Sequence, residues 1–106
     1  MVIYEVNVNV ENDIYSEYYT WLVKHIKQML QFTGFKKAEI GLIEHQHTSE
    51  KRLRISYLVN SYADLENYLS NHAEVMRAEG VEKFGAKFNA TRRIITDSVM
   101  FESNEL

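Results

Sequence analysis

The sequence predicts an α+β domain whose elements run β-α-β-β-α-β. Two periodicities and one kind of punctuation predict it. Apolar residues alternate with a period of two through residues 2–10, 35–45 and 53–59, which on a pleated strand separates a buried face from an open one. They recur every three or four residues through 14–31 and again after Ser61, which is the stripe of a helix packed on one side. Cap and turn residues stand at the junctions.

In the first strand Val2, Tyr4, Val6, Val8 and Val10 stand against Ile3, Glu5, Asn7 and Asn9. Asp13, whose carboxylate can accept a free amide of a first turn, is expected to cap a helix from Ile14 to Gln31. Tyr15, Tyr18, Leu22, Ile26 and Met29 form its stripe, broadened by Tyr19, Val23 and Leu30. Gly34 fits the exit from that helix, and the second strand follows, with Ala38, Ile40 and Leu42 opposite Lys37, Glu39 and Gly41. "HTSEKR" is polar enough for a hairpin loop, after which Leu53, Ile55, Tyr57 and Val59 alternate with Arg54, Ser56 and Leu58.

Ser61, with Asp64 three residues on, resembles a capping box and opens the second helix, where Leu65, Leu69, His72 and Met76 share a stripe. Gly80 fits the left-handed position that ends a helix, with Val81 against Met76. The β-branched "ATRRIITDSVM" makes the last strand. Residues 101–106 read as a frayed tail behind a single domain of residues 1–100.

This order is the split arrangement of the ferredoxin-like fold, a four-stranded antiparallel sheet with two helices on one face. With the valines of the first strand facing the helices, the open face carries Ile3, Glu5, Asn7 and Asn9, then Glu39, Ile43, Arg54, Ser56 and Leu58, and one of Arg92 and Arg93. Such a mixture is neither bare solvent surface nor dry core. Two sheets of this kind pack face to face in a twofold dimer, so a homodimer through the open sheet face is expected.

Composition narrows the function classes. The formal charge of -3 lacks the basic footprint with which nucleic-acid binders neutralise phosphates, so nucleic acid is not expected as a partner. No apolar run approaches the ~20 residues that span a bilayer, and "MVIYEVNVNV" has no charged leader region, so a cytoplasmic chain that starts here is expected, with no membrane partner. Zero cysteines exclude disulfides, thiol catalysis and cysteine-ligated metal centres. A 45% hydrophobic and 25% charged composition is ordinary for one globular core.

Several side chains are candidates for chemistry. His72 and Arg77, joined by Arg92 or Arg93, would make an anion pocket, since guanidinium groups grip carboxylate or phosphate through paired hydrogen bonds. The competing reading keeps His72 in the apolar stripe and pairs Arg77 with Glu74, Glu82 or Glu5. His25, beside Leu22 and Met29, is either a proton carrier in an apolar pocket or a half-buried residue with a backbone or tyrosine partner. Trp21, Tyr18, Tyr19, Tyr57 and Tyr68 either line a pocket for a flat aromatic ligand or fill the core. His45 and His47 face one way along a strand but lack a third ligand other than Glu44 or Glu50, so no metal and no cofactor is expected. No Gly-rich phosphate loop, nucleophile elbow or helical zinc motif is present.

Longer stretches add a resemblance. "IYEVNVNV", "WLVKHIKQML", "GFKKAEI" and "YLSNHAEVMRAEGVEKFGAKFNATRRI" together resemble a small bacterial family catalogued as domain of unknown function 4286, over residues 2–95. The matching elements are a Tyr-Glu-Val strand opening, Trp21 with His25 four residues on, and a late block running from His72, Ala73 and Arg77 through Gly80, Phe84 and Gly85 to Arg92 and Arg93. The resemblance implies a ferredoxin-like, dimeric α/β-barrel protein and implies no reaction. More distantly the layout is similar to the dimeric α/β barrels that include antibiotic-biosynthesis and haem-degrading monooxygenases. The latter use an Asn on the first strand, a Trp ending the third and a His on the second helix. Asn7 and His72 match that pattern, but the third strand ends "SYLVNS" without a Trp, and Trp21 lies on a different element.

These expectations amount to a homodimer that binds a small anionic or aromatic ligand. The alternatives are a cofactor-independent monooxygenase-like or isomerase-like enzyme, with His72 or His25 moving a proton and Arg77 or Arg93 steadying negative charge, and a structural module without a pocket. An interior with every arginine paired to a carboxylate favours the module; a solvent-connected cavity with unpaired His and Arg favours the others.

Overall fold

A computed structural model describes residues 1–46 and 49–104. Its strands are β1 (Val2–Glu11), β2 (Phe35–Ile43), β3 (Glu50–Val59) and β4 (Phe88–Ile95), and its helices are α1 (Tyr15–Met29), α2 (Tyr62–Asn71) and α3 (Ala73–Phe84). The strands form one antiparallel sheet in the order β2-β3-β1-β4, so the two strands richest in alternating apolar residues lie in the middle.

Register carries the alternation of β1 across the whole sheet. Tyr4 lies between Tyr57 and Ile94, Val6 between Ile55 and Arg92, and Val8 between Leu53 and Ala90. Directly opposed residues share a face, so this set points toward the helices. There it meets Tyr18, Leu22 and Met29 of α1, Leu65 and Tyr68 of α2, and Met76 and Phe84 of α3 in one buried cluster. Each such side chain contributes about 1.5–3 kcal/mol by leaving water, which is why the polar residues of β1 are displaced to the far face.

Local signals fix the ends of the helices that the core positions. The Ser61 hydroxyl accepts the Asp64 amide at 3.1 Å and starts α2. After α1 the chain turns through Gly34 at φ +85°, where a Cβ would run into the Asp64 carboxylate, and the Gly34 carbonyl accepts the Asn60 amide at 2.8 Å.

Four local expectations are corrected. The second helix is divided at His72 (φ -130°), so three helices cover the sheet. Buried positions run Leu65 and Tyr68, then Ala73, Met76, Gly80 and Phe84, and the break absorbs the extra residue between Tyr68 and Ala73 that a continuous stripe would not accommodate. Gly80 is inside α3, buried, and the left-handed terminus is Gly85 at φ +58°; Val81 is exposed rather than packed on Met76. Asp13 does not cap α1: it lies in a short 3-10 turn and its carboxylate pairs with Lys87 at 2.5 Å, while Ile14 holds the cap position. The last strand stops at Ile95, because its partner there is Ile3 and β1 has almost no residues left to pair with.

Candidate functional site

Enclosed between the inward face of the sheet and the helices is a cavity of about 50 Å³. Its walls follow from parity and spacing. Tyr4 of β1 and Tyr57 of β3 are opposed inward positions, and their rings stack with centroids 6.0 Å apart. Tyr68 of α2 leans on Tyr4, also at 6.0 Å. Tyr18, Trp21 and His25 fall at three- and four-residue spacing on one face of α1, with the imidazole stacked on the indole at 4.7 Å and 21° from parallel. From α3, Arg77 Nη2 donates to the Tyr4 hydroxyl at 2.9 Å. From β4, Arg92 takes the inward position opposite Val6. Arg77 and Arg92 are the exposed residues of the lining and so mark its mouth.

The electrostatics of this space are one-sided. No carboxylate of the described residues lines it. The ion pairs among the described residues, Glu5 with Arg93, Glu39 with Arg54, Glu50 with Arg52 and Asp13 with Lys87, lie elsewhere. Arg92 makes neither an ion pair nor a hydrogen bond among the described residues. Burial first, and the Arg92 charge second, pull the His25 pKa down to about 4, so the ring is neutral near pH 7. Its Nδ1 is buried without a hydrogen-bond partner. Burial pushes Tyr68 up to about 12 and Tyr18 and Tyr57 higher still, so all three hydroxyls stay protonated and able to donate.

The structure brings Trp21, His25, Tyr57, Arg77 and Arg92 together and leaves His72, Asn7 and Arg93 apart from them. His72 is exposed at the α2–α3 break, where its ring lies 4.6 Å from that of Phe32. It therefore belongs neither to an apolar stripe nor to the grouping with Arg77. Asn7 and Arg93 are on the open face, where both donate to Oε1 of Glu5, at 3.0 and 2.5 Å. Arg92 and Arg93 thus split between the two faces. Arg77 meets a tyrosine, not a glutamate. Tyr19 lies in a separate shallow groove of about 560 Å³ between α1 and β2, to which no charged side chain of the described residues contributes. His47 lies outside the described residues.

Tyr4 was missed by the sequence reading as a site residue. The signal was present: it is the one hydroxyl-bearing side chain among the inward valines of β1, and a buried hydroxyl needs a partner. The parity of β4 likewise held the answer for the arginine pair, since Phe88 and Ala90 face inward and Arg92 follows them at a period of two.

On the open face Glu5 is only 6% exposed, and Arg93 and Asn7, which both donate to it, set its chemistry. Hydrogen bonds from those two residues hold its carboxyl below the usual range. Arg54 bridges Glu39 at 2.7 Å and the Ser56 hydroxyl at 3.1 Å on the same face.

Comparison with known proteins gives a family and a fold. A family model described as "Domain of unknown function (DUF4286)" matches residues 1–98. No curated protein matches the chain. Among solved structures, SnoaB, a cofactor-independent oxygenase from Streptomyces nogalater, superposes with a TM-score of 0.64 at 11% identity, over 93% of this chain and 95% of that one. A dimeric ferredoxin-like protein from an uncultured marine organism gives 0.63 at 15%, over 92% and 97%. The de novo designed protein Foldit4 gives 0.59 at 12%, over 92% and 98%. That a designed chain matches nearly as well as an oxygenase means that the likeness carries the fold and no activity.

Proposed function

The chain belongs to the family described as domain of unknown function DUF4286, and on that premise we propose that it is a homodimeric α/β-barrel protein that holds a small anionic ligand between sheet and helices. One observation carries the reading: two guanidinium groups and an orphaned imidazole nitrogen meet in a cavity to which no described carboxylate contributes. Buried polar groups are almost always hydrogen-bonded, so a cavity with unmet donors and net positive charge fits an occupant that accepts. A structural module would pair these arginines internally, as the open face pairs Arg93 and Arg54. Size argues against an aromatic ring in this conformation. An engineered cavity that admits benzene measures about 150 Å³, against about 50 Å³ here. Self-association through the open face is supported by its mixed character, with Ile3 and Leu58 flanking a covered Glu5, and no described helix is long and apolar enough to cross a membrane.

A thermal-shift screen of small acids against the wild type, Arg77→Ala and Arg92→Gln tests the site. Ligand at a hundred times its Kd stabilises by about 2.7 kcal/mol, which is several degrees for a domain of this size. The stabilisation is expected to shrink in both variants; hits that stabilise all three proteins equally refute the reading.

A second reading is favoured by His25. A neutral imidazole with a free nitrogen beside Arg92 can take a proton while the guanidinium steadies the anion left behind, an isomerase-like step. Loss of turnover in His25→Gln with ligand binding retained would support it over simple binding.

A further inference from the structure

The binding reading above leaves the ligand's chemistry open, and the disposition of the cavity's polar groups narrows it. We infer that the ligand is a short carboxylate with a second hydrogen-bonding oxygen close to it, an α- or β-oxo or hydroxy acid. The inference rests on that reading of the site.

Charge comes first. The exposed residues at the mouth are Arg77 and Arg92, and a guanidinium fork matches a carboxylate edge through two parallel hydrogen bonds. Among the described residues Arg77 has one of its five donors engaged, by the Tyr4 hydroxyl, and Arg92 has none of its own engaged.

The inner wall is mixed. Val6, Ile55, Met76 and Ala90 contribute methyl and methylene surface beside the hydroxyls. A phosphate or sulfate pushed fully inside would turn charged oxygens onto that surface and lose hydration without replacement. A carboxylate leaves its charge at the mouth and lays carbon against the apolar wall.

Depth then asks for a second polar group. Tyr18, Tyr57 and Tyr68 have no hydrogen-bond partner for their hydroxyls among the described residues, and Nδ1 of His25 is buried and orphaned. A plain fatty acid would shut all of them off from water without offering any a partner, which disfavours it. A carbonyl or hydroxyl oxygen one or two carbons from the carboxylate accepts from a tyrosine, and a hydroxyl can also donate to the neutral imidazole. About 50 Å³ holds only a few atoms beyond the carboxylate, so the acid is short or its remainder projects outward.

The experiment is amide and side-chain NMR of the full chain titrated separately with pyruvate, lactate, propionate, benzoate and inorganic phosphate, for the wild type, Arg92→Gln and Arg92→Lys. Pyruvate or lactate is expected to shift resonances of Tyr4, Tyr57, Trp21 and His25 saturably, with Kd at least about tenfold below that of propionate. Arg92→Gln should weaken that binding by about tenfold or more, and Arg92→Lys, which keeps the charge and loses the fork, should fall between. Saturable cavity shifts with phosphate or benzoate and none with pyruvate or lactate overturn the ligand class while leaving the cavity a binding site. Shifts confined to surface residues with every probe overturn the class and the site together. Equal affinity for propionate and lactate overturns the role given to the inner hydroxyls.

Discussion

The imidazole of His25 lies flat on the indole of Trp21, their centroids 4.7 Å apart, at the one place where the chain's single tryptophan meets the cavity. That stacking makes the indole a reporter of the imidazole's charge. The folded-state pKa, about 4, is below the ordinary 6.5, so the unfolded chain takes up this proton first as pH falls. Stability from His25 is therefore complete above about 6.5, declines as pH drops toward 4, and changes no further below it. The gap corresponds to about 3 kcal/mol at most, and to about 2 kcal/mol once water reaching the partly exposed ring is allowed for.

Chemical denaturation at pH 7 and pH 4.5 is expected to show this loss in the wild type and to show most of it removed in His25→Gln. Glu5, held below its usual 4.5 by Arg93 and Asn7, adds its own loss only under that pH, so the two windows separate. A wild type no less stable at pH 4.5 than at pH 7 contradicts the burial of a neutral His25.

How much of this was readable from the chain depends on parity. Strands with one buried face announce themselves, because a period of two cannot be mistaken when five inward positions of β1 are Val or Tyr. The Ser61 cap was equally legible, since its mechanism is local. The break at His72 was not: neither Gly nor Pro marks it, and it arises from the demand that both halves of the helix keep a buried face on a twisted sheet, a tertiary effect. The helix end moved from Gly80 to Gly85 for a related reason. Only the packed structure reveals that the space above Gly80 is taken by Trp21 and Phe88. The cavity itself was half legible, in that Trp21, His25, Tyr57 and Arg77 are in it and His72 is not.

Those two glycines give a paired prediction. A Cβ on Gly80 would lie 3.0 Å from Trp21 Cη2 and 3.2 Å from Phe88 Cζ, both ring atoms held in a cluster with Tyr18 and Phe84. Ala is worth about 1 kcal/mol over Gly inside a helix, and overpacking costs about 1–3 kcal/mol, so Gly80→Ala should destabilise by about 1 kcal/mol and shift the Trp21 emission. At Gly85 no atom of the described residues lies within 4 Å of a Cβ, but φ is +58° with ψ -133°. Gly85→Ala should cost about 1–3 kcal/mol from backbone strain alone, with the emission unchanged. Equilibrium unfolding followed by fluorescence reads both.

Ser61→Ala tests the cap directly. The hydroxyl satisfies the Asp64 amide at the start of α2. The expected loss is about 1 kcal/mol, or roughly 4–8 °C in Tm for a domain of this size. An unchanged Tm means that water serves that amide equally well.

The open face supplies the last prediction. Glu5 and Arg93 are opposed across β1 and β4, with the carboxylate side chain 8% exposed and the guanidinium 70%. In a face-to-face dimer the pair lies on the covered face, where a charge of the wrong sign is buried beside a like charge of its own protomer. Arg93→Glu sets two carboxylates side by side on that face of each protomer. Sedimentation at micromolar concentration should show the wild type as a dimer and Arg93→Glu shifted toward monomer. The exchange Glu5→Arg with Arg93→Glu restores opposite charges across the strands and should recover much of the dimer, a recovery that simple damage to the sheet would not allow. A wild type that sediments as a monomer in this range removes the dimer from the proposal and leaves the cavity, which lies on the other face of the sheet, to stand on its own chemistry.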